Sequence, residues 1–560
     1  MVMKFTLFIL FFLSIQNLSA QVTLVKDIYA GVNSGINTNN PVTEKDRIVF
    51  NGKLIFCAKG TSGTYQLWQS DGTLAGTSIL KQIATNNVDS NPKNFTIFNS
   101  TSGTKLYFSA NNGANNFWGI NDELWQTDGT TAGTVINSEM NQATTSSPGS
   151  FPRGFTVFGS NFYFTANVSP PGEEFYRNDG SLGGATLVRD INPGAANSSP
   201  KNFTVANGKL FFAATNDNIG RELYVAIGPT TASLSYIDVL PVANIGSNPL
   251  YLTEYNNNVY FTAGVGGDQL WKSDGTIAGT SLITDFSISA GDPQDYYVSP
   301  TLGLMFFSAA TNATGREMHY VATDDDEGVY NETNIGSGDG IRAGTQFIEY
   351  NGDVYFTATN GTSGYELWRT NHLIDGSPLT MVKDINATGD SNPVNFIVFG
   401  GKLIFQANDG IHGAELWQSD GTTSGTTLVT DINTGVESSS PAGFVALNSN
   451  VLLFTATEAT VGAELWKLNN SGLSNTTSDF DENSIQIYPN PATNEINVSN
   501  TRNSGISTIT IMDVNGRTIK QNTFNNFSNV QVNIAELSKG VYLMKINLEA
   551  GIVTKKIVKN

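Results

Sequence analysis

The chain has 560 residues, of which 39% are hydrophobic and only 14% are charged, so it can bury one large core or several. Its formal net charge of −19 argues against a nucleic-acid-binding protein, because a phosphate backbone requires a basic surface. Gly is abundant, at 56 residues, and polar turn residues separate short apolar runs. This composition is typical of many short strands joined by turns and predicts an all-β protein.

Residues 1–20 have the layout of a secretory signal peptide. Lys4 precedes an apolar run over Phe5–Ile15, and the small residues of Leu18-Ser19-Ala20 follow as a cleavage site. The run is too short to span a bilayer, and no later segment is apolar for long enough to do so. We therefore expect a secreted protein without a transmembrane segment in its mature form. Cys57 is the single cysteine, so it cannot form an intrachain disulfide.

One unit then returns nine times. ELWQSDGTTSGTTLVTDI at 415–432 has counterparts such as QLWQSDGTLAGTSILKQI from Gln66 and QLWKSDGTIAGTSLITDF from Gln269. Most repeats are 46–49 residues apart, a period typical of propellers and other arrays. Two columns of the strand before this motif do not vary. They are Phe56, Phe108, Phe164, Phe212, Phe261, Phe307, Phe356, Phe405 and Phe454, and two residues later Ala58, Ala110, Ala166, Ala214, Ala263, Ala309, Ala358, Ala407 and Ala456.

Each repeat divides into four predicted strands, of the forms FTVF, KLIFQA, ELW and TLVTDI. Asn-Gly at 51–52, 207–208 and 351–352 predicts a tight hairpin between the first two strands, because both turn positions accept a positive φ. The SDGT segment is the turn between the third and fourth strands. The second strand is apolar at almost every position, which indicates burial on both faces, as in a blade between two neighbouring blades.

The two ends of the array complement each other. The ninth repeat stops after its third strand, whereas VTLVKDI at Val22–Ile28 is a fourth strand without a repeat of its own. We expect these residues to complete the last blade and close a ring, which would cover two edge strands. The predicted fold over 21–468 is a large β-propeller of about nine four-stranded blades. A pair of smaller propellers, or a ring with fewer, merged blades, is the alternative.

The last part of the chain changes character. Residues 469–483 are polar and predict a linker. Short alternating strands over 484–560 predict a small β-sandwich. This tail contains more Lys and Arg than Asp and Glu, so the acidity of the chain lies in the repeat array.

Residues 485–560 closely resemble the C-terminal sorting domain of the type IX secretion system of Bacteroidota. The resemblance is carried by Ile487–Ala492, Asn515–Arg517, Gly540–Tyr542 and the basic end Lys555–Lys559. It implies that the type IX machinery is a partner and that the tail directs export across the outer membrane and is then removed. The mature protein would be released or attached to the outer cell surface. The sorting residues it implies are Tyr488, Pro489, Asn490, Pro491, Gly516, Arg517, Gly540, Tyr542, Lys555 and Lys556.

Residues 24–467 resemble the ELWxxDGT-repeat proteins that often precede such tails, a resemblance that implies a repeat and no activity. Two of its motif residues have competing interpretations. The Trp could stack on sugars, but Trp and SDGT are lost together in repeats four and six, which favours a Trp packed against its own hairpin. The Asp precedes Gly, so we expect its carboxylate to bind backbone N–H groups of its own turn rather than calcium. These carboxylates are Asp71, Asp128, Asp274 and Asp420, with Asp179 in a variant turn.

No catalytic residue is predicted. Cys57 lies in a packing column, and His319, His372 and His412 belong to different repeats, without a metal-binding spacing. The acidic run Asp324–Glu327 lacks the ligand spacing of an EF-hand and is expected to be a solvated loop. No nucleophile elbow or Walker loop is present, although the paired carboxylates of a glycosidase leave no spacing signature.

The crossovers between repeats are longer and polar, and loops on a rigid scaffold are where binding concentrates. We expect any ligand on their face, near the mouth of the channel. Asp190, Asp384 and Asp431 each open a crossover and are candidate calcium ligands; alternatively each caps its own turn. No other cofactor is predicted. We predict a secreted or cell-surface binding or adhesion module for an extracellular glycan or surface protein. The alternatives are an extracellular polysaccharide hydrolase or lyase and a structural surface-layer role.

Overall fold

The computed structural model divides the chain into an N-terminal unit, Met1–Leu473, and a C-terminal unit, Ser474–Asn560. The structure describes residues 22–37, 46–85, 87–113, 121–141, 149–240, 245–264, 269–283, 291–311, 315–321, 329–331, 338–371, 379–470, 485–500, 506–513, 518–527, 529–548 and 551–560. The expected signal peptide, most of the expected linker, His372 and the acidic run at 324–327 lie outside these residues.

The described part of the N-terminal unit consists of nine four-stranded antiparallel sheets and one 3-10 turn, Thr231–Ser233. Strands are numbered along the chain. The first strands of the sheets are β2 (Arg47–Phe50), β6 (Lys93–Ser100), β10 (Arg153–Phe158), β14 (Lys201–Ala206), β18 (Leu250–Tyr255), β22 (Gln294–Val298), β26 (Ile348–Tyr350), β30 (Val394–Phe399) and β34 (Ala442–Asn448). The second strands are β3 (Lys53–Lys59), β7 (Gly103–Asn111), β11 (Asn161–Val168), β15 (Lys209–Asn216), β19 (Asn258–Ala263), β23 (Met305–Thr311), β27 (Asp353–Ala358), β31 (Lys402–Asn408) and β35 (Val451–Glu458).

The third strand of each sheet contains the ELW motif or its counterpart. The third strands are β4 (Tyr65–Ser70), β8 (Asp122–Thr127), β12 (Gly172–Asn178), β16 (Gly220–Ala226), β20 (Gln269–Ser273), β24 (Gly315–Val321), β28 (Glu366–Thr370), β32 (Ala414–Ser419) and β36 (Gly462–Asn469). The fourth strands are β5 (Ser78–Lys81), β9 (Val135–Ser138), β13 (Thr186–Arg189), β17 (Leu234–Ile237), β21 (Ser281–Leu282), β25 (Val329–Asn331), β29 (Thr380–Lys383), β33 (Thr427–Thr430) and, for the ninth sheet, β1 (Val22–Lys26).

The hairpin between the first two strands turns as the sequence predicts. Asn51 and Gly52 have φ values of 51° and 74°, and Asn207 and Gly208 have 46° and 68°. Both central residues are therefore left-handed, as a two-residue turn between twisted strands requires.

The second strands are buried on both faces, as predicted. Every residue of the phenylalanine and alanine columns is at most 1% exposed. The phenylalanine lies opposite the motif aromatic in the neighbouring strand, as in the pairs Phe56–Trp68 and Phe405–Trp417. Cross-strand pairs of this kind stabilise a sheet, so the two columns form its hydrophobic centre.

Neighbouring sheets share their cores. One cluster joins Phe175 of the third repeat to Phe212 of the fourth, and another joins Phe56 of the first repeat to Leu465 of the ninth. First strands of neighbouring repeats also contact one another from β2 to β22 and from β26 to β34, and β34 of the ninth repeat contacts both β30 of the eighth and β2 of the first. The unit is thus all-β and propeller-like.

The ninth sheet has the order β1-β36-β35-β34, so its fourth strand comes from the N-terminal end of the repeat array. Val22 lies opposite Leu468, and Leu24 lies opposite Trp466. The expectation that Val22–Ile28 completes the last repeat is confirmed for its strand residues, 22–26.

The C-terminal unit contains two antiparallel sheets. One has the order β37-β38-β41 and the other β40-β39-β42-β43. Their strands are β37 (Ile485–Tyr488), β38 (Glu495–Asn500), β39 (Ile506–Met512), β40 (Thr518–Phe527), β41 (Asn529–Asn533), β42 (Gly540–Leu548) and β43 (Gly551–Lys559). Buried residues of both sheets, including Ile496, Val532, Ile509 and Ile546, form one core.

Candidate functional site

A cavity of about 910 Å³ lies among the first strands. Its lining comes from β2, β22, β30 and β34 and from residues 345–348, which lead into β26. Strands of five repeats therefore border one space. Most of the lining is apolar, and its charged side chains are Arg47 and Asp295. A concave apolar space with few polar groups is the usual form of a ligand site.

Seven first strands begin with a bulge. At each bulge the register with the second strand shifts. One residue there has a positive φ, between 55° and 73°: Asn94, Gly154, Asn202, Tyr251, Asp295, Asn395 or Gly443. A bulge bends a strand and changes the direction of a side chain. The bulges were not predicted from the sequence, since the FTVF-like pattern begins at Phe203 in the fourth repeat and at Phe396 in the eighth, two residues after β14 and β30 begin.

Six of the seven bulged residues, all except Tyr251, border one of two cavities. Asp295, Asn395 and Gly443 line the large cavity. Asn94 and Asn202 line a second space of about 350 Å³ between the second, third and fourth repeats. The bulges therefore place a series of small or polar side chains at one end of the first strands.

Arg47 is the buried cation of the large cavity. Its Nη1 donates to the carbonyl of Gly443 at 3.0 Å and its Nη2 to Thr455 Oγ1 at 2.9 Å, which ties the first repeat to the ninth. Its Nε is buried without a partner among the described residues. Burial lowers the pKa of Arg47 to about 10, so the side chain stays charged at neutral pH.

Asp295 is the acidic group of the same cavity. Its Oδ2 accepts hydrogen bonds from Ser308 Oγ at 2.7 Å and from the backbone N–H of Gly344 at 2.9 Å. Burial raises the pKa of this carboxyl above its ordinary value. Asp295 thus holds the seventh repeat against the sixth at the cavity wall.

A second feature that was not predicted from the sequence is the buried carboxylate of the ELW motif. Glu415 is fully buried and accepts hydrogen bonds from the N–H groups of Ile432 and Ser439, at 3.0 and 2.8 Å, and from Ser439 Oγ at 2.5 Å. It therefore binds the crossover that leads to the next repeat. We call this set of hydrogen bonds from a motif Glu or Gln to its crossover the clasp. The same Glu–Ser pair, with Ser Oγ donating at 2.5–2.6 Å, occurs as Glu123–Ser150, Glu174–Ser198, Glu222–Ser247 and Glu366–Ser391.

Two other repeats have the clasp with a different segment or a different residue type. In the ninth repeat Glu464 accepts from the N–H groups of Ile28 and Gly35, at 3.0 and 2.8 Å, so it holds the segment that follows β1. In the first repeat Gln66 replaces the glutamate and accepts from the N–H of Ile83 at 2.8 Å. A neutral amide therefore serves at the same position.

The clasp predicts a pH dependence of stability. Burial raises the pKa of Glu123, Glu174 and Glu464 to about 7, from an ordinary value of 4.5. The folded state therefore keeps protons that the unfolded state releases between about pH 4.5 and 7, and the stability present below this range is lost as pH rises through it. We expect a higher melting temperature at pH 5 than at pH 8, measured by circular dichroism.

The matched variant carries Glu→Gln at residues 123, 174 and 464, because Gln66 shows that the amide fits. Its melting temperature should depend less on pH than that of the wild type. An equal pH dependence in the two proteins would show that these carboxyls titrate normally.

The crossover aspartates cap their own turns where contacts are seen. Asp190 Oδ2 accepts from the N–H of Gly194 at 3.2 Å, and Asp431 Oδ2 accepts from that of Gly435 at 3.1 Å. Asp384 is exposed. The three lie on different crossovers, and the described residues contain no group of three or more His, Cys, Asp or Glu side chains that could hold a metal.

The motif aspartate and tryptophan have structural contacts. Asp420 Oδ1 accepts from the N–H and Oγ1 of Thr422 at 3.0 and 2.7 Å, which confirms the turn interpretation. A Cβ on Gly425 would lie 2.0 Å from the same carboxylate, so this turn position requires glycine. Trp417 is only 5% exposed, which supports packing over sugar stacking.

The cysteine and histidines do not form a reactive cluster among the described residues. Cys57 lines a pocket of about 400 Å³ with Asp46 and Asp89, and burial and these carboxylates raise the pKa of its thiol, which disfavours a nucleophilic thiolate. His319 stacks on Phe307 at 5.5 Å, and burial lowers its pKa to about 4.

The residues implied as sorting signals are distributed over the C-terminal unit. Asn490 joins the segment after β37 to the last strand, since its Nδ2 donates to the carbonyl of Lys556 and its Oδ1 accepts from the N–H of Val558, both at 2.9 Å. Tyr542 Oη donates to the carbonyl of Ser538 at 2.9 Å. The other described members are Tyr488, Pro489, Pro491, Gly540, Lys555 and Lys556, whereas Gly516 and Arg517 lie outside the described residues.

Comparison with solved structures finds distant similarity to peptidases. The chain is 9% identical to a puromycin hydrolase, over 68% of this chain and 61% of that chain, with a TM-score of 0.34. A puromycin-hydrolysing peptidase of Mycobacterium tuberculosis gives the same values. A prolyl endopeptidase structure is 12% identical, over 64% and 55%, with a TM-score of 0.33. The chain thus spans about 61% of the length of the first of these structures. Among curated protein sequences, none matches this chain.

The tail belongs to a known class of export signal. Residues 486–560 match the family model of the secretion system C-terminal sorting domain. No helix in the described residues has the length and hydrophobicity that a membrane crossing requires. The match confirms the resemblance of the tail and implies interaction with the type IX secretion machinery. The chain therefore carries a type IX sorting domain and is a secreted or cell-surface protein.

Proposed function

We propose that the mature protein is an extracellular binding module on a single nine-bladed β-propeller. In this proposal residues 1–20 are a signal peptide, 21–468 the propeller, 469–483 a linker and 484–560 a β-sandwich that is removed on export. Nine sheets with a composite last sheet support the ring. The tail supports display at the cell surface or release from it.

The ligand site in this proposal is the end of the first strands that carries the bulges. The observation that carries it is the series of positive-φ residues bordering the cavities. Backbone strain and bulges are concentrated at functional sites, since the surrounding sheet must hold them in place. Seven of the crossovers next to these residues are each bound by a buried Glu or Gln in the part of the chain that the structure describes, and they supply a rigid rim.

Binding accounts for this site better than hydrolysis of a polysaccharide. A glycosidase needs two carboxyl groups that flank the scissile bond. Of the described residues that line the large cavity, Asp295 is the one carboxylic acid, and it is bonded to Ser308 and Gly344. Three of the seven residues at the bulges are instead asparagines, whose side-chain amides suit recognition of hydroxyl groups.

We expect the purified mature chain to bind oligosaccharides without cleaving them. The test is a panel of cello-, laminari-, manno- and chito-oligosaccharides, with binding measured by calorimetry with and without calcium, and reducing ends assayed after incubation. Release of reducing ends would favour the hydrolase, and binding to no member would overturn glycan recognition.

A separate test concerns calcium. If Asp190, Asp384 and Asp431 bind calcium, the ion should raise the melting temperature of the mature chain, and the triple Asp→Ala variant should lose this rise.

A further inference from the structure

Tyr251 occupies a backbone position that its residue type disfavours. It lies at the bulge of β18 with φ of 55°. The same position in the other bulged repeats holds only Asn, Asp or Gly. These residue types tolerate a positive φ, whereas a bulky aromatic residue does so at a cost. The fold therefore needs no aromatic side chain here.

The side chain of Tyr251 is also exposed. Its exposed fraction is 43%, in contrast to the buried aromatic columns of the second and third strands. Its ring lies 6.5 Å from that of Tyr296, centroid to centroid, and the two planes make an angle of 59°. Tyr296 lines the large cavity. A pair of aromatic rings thus extends from the cavity wall to the surface.

A chain of hydrogen-bonded polar side chains begins at the hydroxyl group of Tyr251. Tyr251 Oη donates to Gln294 Oε1 at 3.3 Å, and Gln294 Nε2 donates to Asp292 Oδ2 at 3.1 Å. Asp292 in turn pairs with Arg316, Nη2 to Oδ2, at 2.8 Å. The side chain of Asp292 is 47% exposed, so this network reaches solvent.

We infer that Tyr251 and Tyr296, with Gln294 and Asp292 beside them, form a carbohydrate subsite at the rim of the cavity. An aromatic face packs against the C–H groups of a pyranose ring, while an amide and a carboxylate pair with its hydroxyls. A strained residue that the fold does not require is an indication of function. This inference rests on the proposed binding function and assigns its ligand contact.

The test compares three single variants of the mature chain. Tyr251→Gly removes the ring and suits the positive φ, as Gly154 and Gly443 show in other repeats. Tyr251→Phe keeps the ring. Tyr236→Ala removes an exposed tyrosine, 46% exposed, from a fourth strand. With the oligosaccharide panel above, we expect Tyr251→Gly to weaken binding about tenfold, Tyr251→Phe to weaken it less because the ring is kept, and Tyr236→Ala to bind as the wild type does.

Two measurements separate the outcomes. Wild-type binding that Tyr251→Gly leaves unchanged overturns the subsite alone, whereas failure of the wild type to bind overturns the proposed function as well. Binding of an oligoproline peptide, without binding of the oligosaccharides, would show that the two tyrosines recognise a peptide and would overturn the carbohydrate subsite. Independently of ligand, Tyr251→Gly should melt at or above the wild-type temperature, and a clear loss of stability would make Tyr251 a structural residue.

Discussion

A mature chain that begins at Tyr29 should melt well below the full mature chain and should associate. Its ninth sheet lacks β1, so the third strand, β36, becomes an unpaired edge that can pair with another molecule. The deletion also removes Val25 and Ile28, each less than 5% exposed, and each such residue contributes about 2 kcal/mol to folding. Lys26 Nζ is lost too, which donates to the carbonyl of Thr77 in the first repeat at 2.7 Å.

Calorimetry and sedimentation velocity measure the two effects. The control adds a synthetic peptide of residues 22–28, which the truncation removes, to the truncated chain, and we expect it to restore the melting temperature and the monomer by occupying the vacant edge. An unchanged melting curve with a monomeric truncated chain would show that β1 contributes little to closure.

Deletion of residues 486–560 should abolish export from a type IX-competent host. The signal peptide would still direct the chain to the periplasm, where it should accumulate, because the domain that the machinery recognises is missing. Fractionation and surface immunolabelling measure the distribution. We expect a full loss at the surface rather than a partial one, since the two units have separate cores and the propeller-like unit should still fold.

A gain of function provides the matched control. A periplasmic reporter fused to residues 474–560 should reach the cell surface. Normal display of the truncated chain, or retention of the reporter, would show that the sorting information lies elsewhere in the chain.

The sequence predicted the elements of the fold that depend on hydrophobic pattern and turn chemistry. The invariant columns at Phe405 and Ala407 identify a strand buried on both faces, and Asn51-Gly52 identifies its hairpin. The strand at Val22–Lys26 could be assigned because the ninth repeat lacks a fourth strand in sequence, and the N-terminal segment has a fourth strand without a repeat. Each of these signals is local or is repeated many times.

The candidate site could not be predicted in the same way. A positive φ at Tyr251 is imposed by the sheet around it and contradicts the preference of the residue. The Glu415–Ser439 clasp joins residues that a polar crossover separates, and hydrophobic periodicity does not report where a buried polar group finds its partner. One signal was available: a serine recurs in most crossovers shortly before a proline, as in Ser391-Asn392-Pro393.

The composite ninth sheet imposes an order of assembly on the chain. The first eight sheets pair residues within a single repeat, so their loops are short and closing them costs little conformational entropy. The hydrogen bond from Ile28 to Glu464 instead spans 436 residues and can form only after the last repeat has been synthesised. Contacts of such sequence separation form slowly. Until then β1 stays without its partner strand β36. The nascent or translocating chain is therefore an open array with unpaired strands at its two ends, and these strands must be kept from pairing with other molecules.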